Sequence, residues 1–270
     1  MSDFGARLAA QVAERGRLCV GVDPHPQILQ EWGLTVDAAG VAECAQRMVE
    51  ALGDLVAVFK PQSALFEAYG SAGIGVLERF LAAADKAGAM VIMDAKRGDI
   101  GSTMAGYARA YLSNDSPLAA DALTVSPYLG FGSLTPAIQL AEATGRGLYV
   151  LCRTSNPEGG QVQLAEAGGR SVAQMMVDEV NTANGDRDPA PFGLVIGGTL
   201  PTLDVDLTGF TGSILVPGIG AQGGTVEGLT ELFGAAAGRV LPTSSREIMA
   251  AGPDPDSLRR AVVALTAELG

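Results

Sequence analysis

Eight short, β-rich apolar runs recur along the 270-residue chain, at 17–23, 55–60, 89–96, 122–126, 147–153, 192–198, 213–218 and 239–244. Most are continuous rather than alternating, the pattern of parallel strands covered on both faces, and most are spaced widely enough for a crossover helix. The fold class expected is therefore α/β, a (β/α)₈ barrel, with residues 1–270 forming a single domain. Helical spacing between the runs agrees. Residues 76–88 carry apolar positions three and four apart and end in Gly88, and residues 255–269 have Asp254 as N-cap and Pro255 in the first turn. Residues 156–185 make a long connection, and helical periodicity within 163–180 marks them as a decorated loop followed by a helix.

Composition narrows the function classes. Apolar residues form 47% of the chain and charged residues 18%, which suits a large core and argues against extensive disorder. The formal charge of −12 has the wrong sign for a generic binder of nucleic-acid polymers or anionic membranes, so an anionic ligand must be gripped locally. No apolar stretch reaches membrane-spanning length, and the first sixteen residues read as an amphipathic helix without a signal-peptide core. A cytoplasmic location is expected. Cys19, Cys44 and Cys152 are odd in number and far apart, as reduced core thiols would be, and the lone His25 excludes a multi-histidine metal site.

Barrel enzymes assemble their sites at the C-terminal ends of the strands, and here those ends are polar or glycine-rich. Asp23 closes the first run, Lys60 the second, Asp94 and Lys96 the third and Ser126 the fourth. Thr154 and Ser155 follow the fifth, Thr199 the sixth, Gly218 and Gly220 the seventh, and Ser244, Ser245 and Arg246 end the eighth. Within residues 93–103 the two-residue strand period puts Asp94 and Lys96 on one face, and Gly98 lets the chain turn before Asp99 and Thr103. Two carboxylates then bracket one ammonium, an arrangement suited to a general acid that delivers a proton to a carbanion. A surface ion-pair cluster would have the same spacing.

The stretch DAKRGDIGST (94–103) resembles the D-x-K-x-x-D-I-x-x-T signature of the orotidine 5′-phosphate decarboxylase family. GVDPHP (21–26), VFKPQ (58–62), SPYLG (126–130), TSNPEG (154–159), VPGIGAQGG (216–224) and SSREI (244–248) resemble that family's other site segments, in order and across all eight runs. The resemblance implies decarboxylation of a phosphorylated pyrimidine nucleotide, orotidine 5′-phosphate, to UMP and carbon dioxide. It implies no cofactor and no metal. Lys60, Asp94, Lys96 and Asp99 would form an alternating charged network, with Asp99 and Thr103 contributed across a homodimer interface. Lys96 would protonate C6, Asp94 would face the departing carboxylate, Lys60 would anchor Asp94 and touch the ribose, and Asp23 would bind a ribose hydroxyl. Ser155 would meet the pyrimidine edge, while Pro217, Gln222, Ser245 and Arg246 would line the phosphate side. Ser245 departs from other family branches, which carry glycine there.

Two rivals stay open. One is a magnesium-dependent sugar-phosphate decarboxylase or synthase of the same superfamily, although Lys60 stands where those relatives carry an acidic metal ligand. The other is a barrel that binds a phosphorylated nucleotide without turning it over.

Overall fold

The computed structural model describes residues 3–218 and 226–269. All eight anticipated runs are strands: β1 (Cys19–Val22), β2 (Val58–Pro61), β3 (Met90–Arg97), β4 (Ala122–Val125), β5 (Gly147–Arg153), β6 (Ala190–Ile196), β7 (Gly212–Pro217) and β8 (Val240–Ser244). Each pairs in parallel with the next, and β8 closes on β1 through Cys19 opposite Thr243 and Val20 opposite Ser244. Parallel pairing needs a crossover between strands, and the intervening helices supply it. β6 begins two residues ahead of the expected run because Pro191 obscures its start; a register shift against β7 between Ala190 and Leu194 accommodates the strand there.

Two apolar layers follow from strands covered on both faces. The outer layer packs strands against helices and includes Leu77 and Phe80 of the Gly70–Ala87 helix, which ends, as its glycine signalled, with Gly88 in a left-handed conformation. The inner layer fills the barrel with Cys19, Val58, Ile92, Tyr149, Leu215 and Leu241. The N-terminal helix Phe4–Arg15, capped by Asp3, seals the bottom, with Phe4 edge-on to Tyr149 at 5.9 Å between ring centroids. The bottom is thus packed shut, and the polar strand ends lie at the opposite mouth. All three cysteines are free and buried, and burial pushes the thiols of Cys19, Cys44 and Cys152 up to about 12.

One helical expectation needs correction. The helix anticipated within 163–180 starts only at Val172 and runs to Asn184, with the Ser171 hydroxyl accepting from the Gln174 N–H. Ahead of it Glu166–Ala167 pairs with Arg170–Ser171 as a small antiparallel hairpin. Gly168 and Gly169, both at positive φ, make that turn, and they interrupt a pattern that apolar spacing alone read as continuous.

Candidate active site

Three neighbouring strands converge on one carboxylate. Lys60, at the end of β2, is buried and donates from Nζ to Asp94 Oδ2 at 3.1 Å. Lys96 Nζ lies 2.6 Å from Asp94 Oδ1. Gln62 Nε2 donates to Oδ2 at 3.1 Å, and the Thr124 hydroxyl on β4 donates to Oδ1 at 2.9 Å. A carboxylate offers about four acceptor sites, and all of them are filled. The backbone is tied down as well, because the Asp94 carbonyl accepts from the Ser63 N–H at 3.1 Å.

Charge decides which protonation states survive this burial. Desolvation penalises the Asp94 carboxylate, but Lys60 and Lys96 outweigh it and hold its pKa below the usual carboxylate range. Desolvation likewise opposes the Lys60 ammonium, yet the carboxylates of Asp94 and Asp23 raise its pKa above that of an ordinary lysine. Asp23, just past β1, keeps a buried Oδ1 with no hydrogen-bond partner among the described residues. The mouth therefore carries alternating charges and one carboxylate oxygen still open to a donor.

The period of two is not what brings Lys96 to Asp94. β3 and β4 pair at Met93 opposite Leu123 and next at Arg97 opposite Val125, so three residues of β3 face the single residue Thr124. Lys96 takes φ +47, the only non-glycine among the described residues at positive φ, and its N–H donates to Thr124 Oγ1 at 2.9 Å. Bulges of this kind re-aim side chains beside active sites. Past the bulge, Arg97 pairs with Glu67 and lies 5.4 Å and 5.7 Å from the ring centroids of Tyr107 and Tyr111. Gly98 is also needed for a reason other than a turn. A Cβ there would lie 2.3 Å from the Ser126 carbonyl oxygen.

The other expected residues ring the same mouth. Ser155 is exposed and sits over Gly197, where a Cβ would come within 2.8 Å of its amide nitrogen. Its loop is anchored by Arg153, which donates to both oxygens of Asp204 at 3.0 Å and 3.1 Å, and by Gln163, which clasps Thr154. Pro217 ends β7 and its carbonyl accepts from the Gly198 N–H. Ser245 fits because Gly21 leaves room for it, the distance from a Cβ at Gly21 to Ser245 Cβ being 2.5 Å. Arg246 is exposed, and its side chain makes no hydrogen bond or ion pair with a described residue. Gln222 lies outside the described residues.

Asp99 and Thr103 stand apart from the charged trio. Asp99 turns Oδ1 to the Ile100 N–H at 2.8 Å, and Thr103 is exposed on the helix Gly101–Leu112. Sequence reasoning did not single out Gln62 or Thr124. Both had signals: Gln62 lies one strand period beyond Lys60, and Thr124 is the lone polar residue in β4.

Residues 16–261 match the family described as orotidine 5′-phosphate decarboxylase / HUMPS. An orotidine 5′-phosphate decarboxylase of Salinispora arenicola is 53% identical over 263 residues, covering 97% of this chain and 95% of the relative. One from Streptomyces coelicolor is 52% identical over 271 residues, covering 100% and 98%. A crystal structure from Streptomyces avermitilis, provisionally assigned to the same activity, superposes with a TM-score of 0.95 at 51% identity, covering 100% of this chain and 95% of that one. Leishmania donovani UMP synthase gives a TM-score of 0.80 at 30% identity, covering 100% of this chain and 56% of that one.

Proposed function

Because this chain belongs to the orotidine 5′-phosphate decarboxylase / HUMPS family, we propose that the charged mouth of its barrel removes the carboxylate of orotidine 5′-phosphate with Lys96 as proton donor. The protein is a carboxy-lyase of UMP biosynthesis. The observation that carries the residue assignment is the closed set of Lys60, Asp94 and Lys96 around one buried carboxylate.

The C6–carboxylate bond breaks, carbon dioxide leaves, and the electron pair stays on C6. No conjugated carbonyl can delocalise that pair, so stabilisation must come from charge already in place. Asp94 faces the leaving group, and its ionised state fixes the Lys96 ammonium beside C6. Lys96 transfers one proton to C6 and regains one from water, which its 43% exposed side chain can reach. Asp23 takes a ribose hydroxyl on its open Oδ1, and Ser155 meets the base edge. Arg246, with its guanidinium uncommitted, grips the phosphate together with Gln222.

No metal is needed in this reading. Asp94 has no acceptor site left for one, Lys60 places a cation where a metal-dependent relative would need an anion, and no trio of His, Cys, Asp or Glu among the described residues could hold an ion. The protein works as a homodimer in which Asp99 and Thr103 complete the partner's site. Asp99 is spare in its own chain, and the neighbouring Ile100, Tyr128 and Leu129 are large exposed apolar residues. Three free thiols and the lack, among the described residues, of a helix able to span a membrane support a cytoplasmic setting.

Protein dialysed against EDTA should abolish the orotate absorbance of orotidine 5′-phosphate and yield UMP. Turnover that returned only with Mg²⁺, or on a sugar phosphate instead, would move the assignment to the superfamily rival; tight binding of UMP without turnover would move it to a non-catalytic barrel.

A further inference from the structure

We propose that Thr124 is a positioning residue for the decarboxylation, its hydroxyl bridging the Asp94 carboxylate and the backbone of Lys96 so that the donor ammonium stays in register. The proposal rests on the assignment of Lys96 as proton donor. Thr124 is 1% exposed in the middle of β4, a place where packing alone would favour valine. A hydroxyl has one proton to give and lone pairs to accept with. The Lys96 N–H at 2.9 Å can only donate, so Oγ1 accepts there. The proton then goes to Asp94 Oδ1 at 2.9 Å, because the other acceptor in reach, the Met93 carbonyl, lies at 3.5 Å and is uncharged.

This bridge sits where the backbone most needs one. Asp94, Ala95 and Lys96 bulge out against Thr124 alone, and Lys96 holds a left-handed conformation that disfavours any residue with a Cβ. With the hydroxyl removed, nothing else in β4 holds the Lys96 amide, and the 2.6 Å contact between its ammonium and Asp94 loses its fixed geometry. Ser155 and Arg246 lie on other strand ends, so substrate capture is spared.

The test is a graded series, Thr124→Ser, Thr124→Cys and Thr124→Val, read by kcat, KM and hydrogen exchange of the Lys96 amide. Thr124→Val should lower kcat by about 10- to 100-fold, the worth of one hydrogen bond to a charged group, while KM moves less than about threefold. Thr124→Ser should restore most of kcat, with Thr124→Cys between, and the Lys96 amide should exchange fastest in the valine variant. Wild-type kcat in Thr124→Val, or equal losses in the serine and valine variants, would overturn the proposal, as would unchanged exchange. If Thr124→Val fails to fold, Thr124→Ser and Thr124→Cys still carry the ordering. A wild type inactive on orotidine 5′-phosphate would instead strike the functional assignment, with amide exchange still deciding whether the bridge exists.

Discussion

Asp94 must stay ionised in a place where burial alone would neutralise it, and its two lysine neighbours make that possible. A buried ion pair contributes little net stability compared with an apolar pair of the same shape, but breaking it on one side leaves a charge stranded. Asp94→Asn should therefore destabilise the protein by about 3 kcal/mol, because Lys60 is left buried without its main counter-charge. Lys60→Met combined with Asp94→Asn should recover most of that loss without recovering turnover. The pH dependence has a definite sign. The folded pKa of Asp94 is depressed, so its contribution is fully present above the unfolded value of about 3.9 and fades as pH falls toward the lower folded value. The folded pKa of Lys60 is raised, so its contribution holds below about 10.4 and fades as pH rises past that point. Urea midpoints across pH should thus show a wild-type advantage over Asp94→Asn that shrinks as pH falls below roughly 4 and shrinks again on the alkaline side, starting before about pH 10 because the stranded Lys60 of the variant gives up its proton early. An advantage that grew as pH fell below about 4 would contradict the assigned charges.

The strand elements were legible because doubly covered parallel strands are written as unbroken apolar runs, and the polar residues at their ends mark the mouth in the sequence itself. The β3 bulge was not legible. In sequence, Asp94-Ala95-Lys96 follows the two-residue period as well as a regular strand would, and only the pairing with β4 shows that three residues are compressed against one. Thr124 could have been noticed as a hydroxyl inside a buried run, but its partners are set by that compression. Gly98 was read as a turn residue for the same reason, whereas its role is to let β3 pass the Ser126 carbonyl. Gly98→Ala should accordingly cost about 1 to 3 kcal/mol and lower kcat, since the contact is with backbone that cannot rotate away. Gly75→Ala, on the helix Gly70–Ala87 with only the Arg79 guanidinium at 3.5 Å, should stabilise by about 0.5 kcal/mol and leave kcat unchanged. Equal effects of the two alanines on thermal midpoint would remove the packing explanation.

At the scale of the whole molecule, the barrel bottom is sealed by its N-terminal helix, so the chemistry is confined to the mouth, on a protein whose net charge of −12 repels an anionic substrate everywhere else. That makes local cations decisive: Arg97 and Arg153 at the strand ends are committed to Glu67 and Asp204, and the proposed mechanism draws on Lys60, Lys96 and Arg246. What one chain does not supply is a use for Asp99, whose carboxylate faces its own Ile100 amide beside exposed apolar side chains. Subunit exchange between Lys96→Ala and Asp99→Asn homodimers, each nearly inactive, tests the charged site most directly. If Asp99 completes the partner's site, a mixed dimer has one doubly substituted site and one intact site, so random mixing, which makes about half the dimers mixed, should restore roughly a quarter of wild-type decarboxylation. A flat mixing curve, with exchange verified by mass-labelled subunits, would contradict a site built from Lys60, Asp94 and Lys96 of one chain and Asp99 of the other.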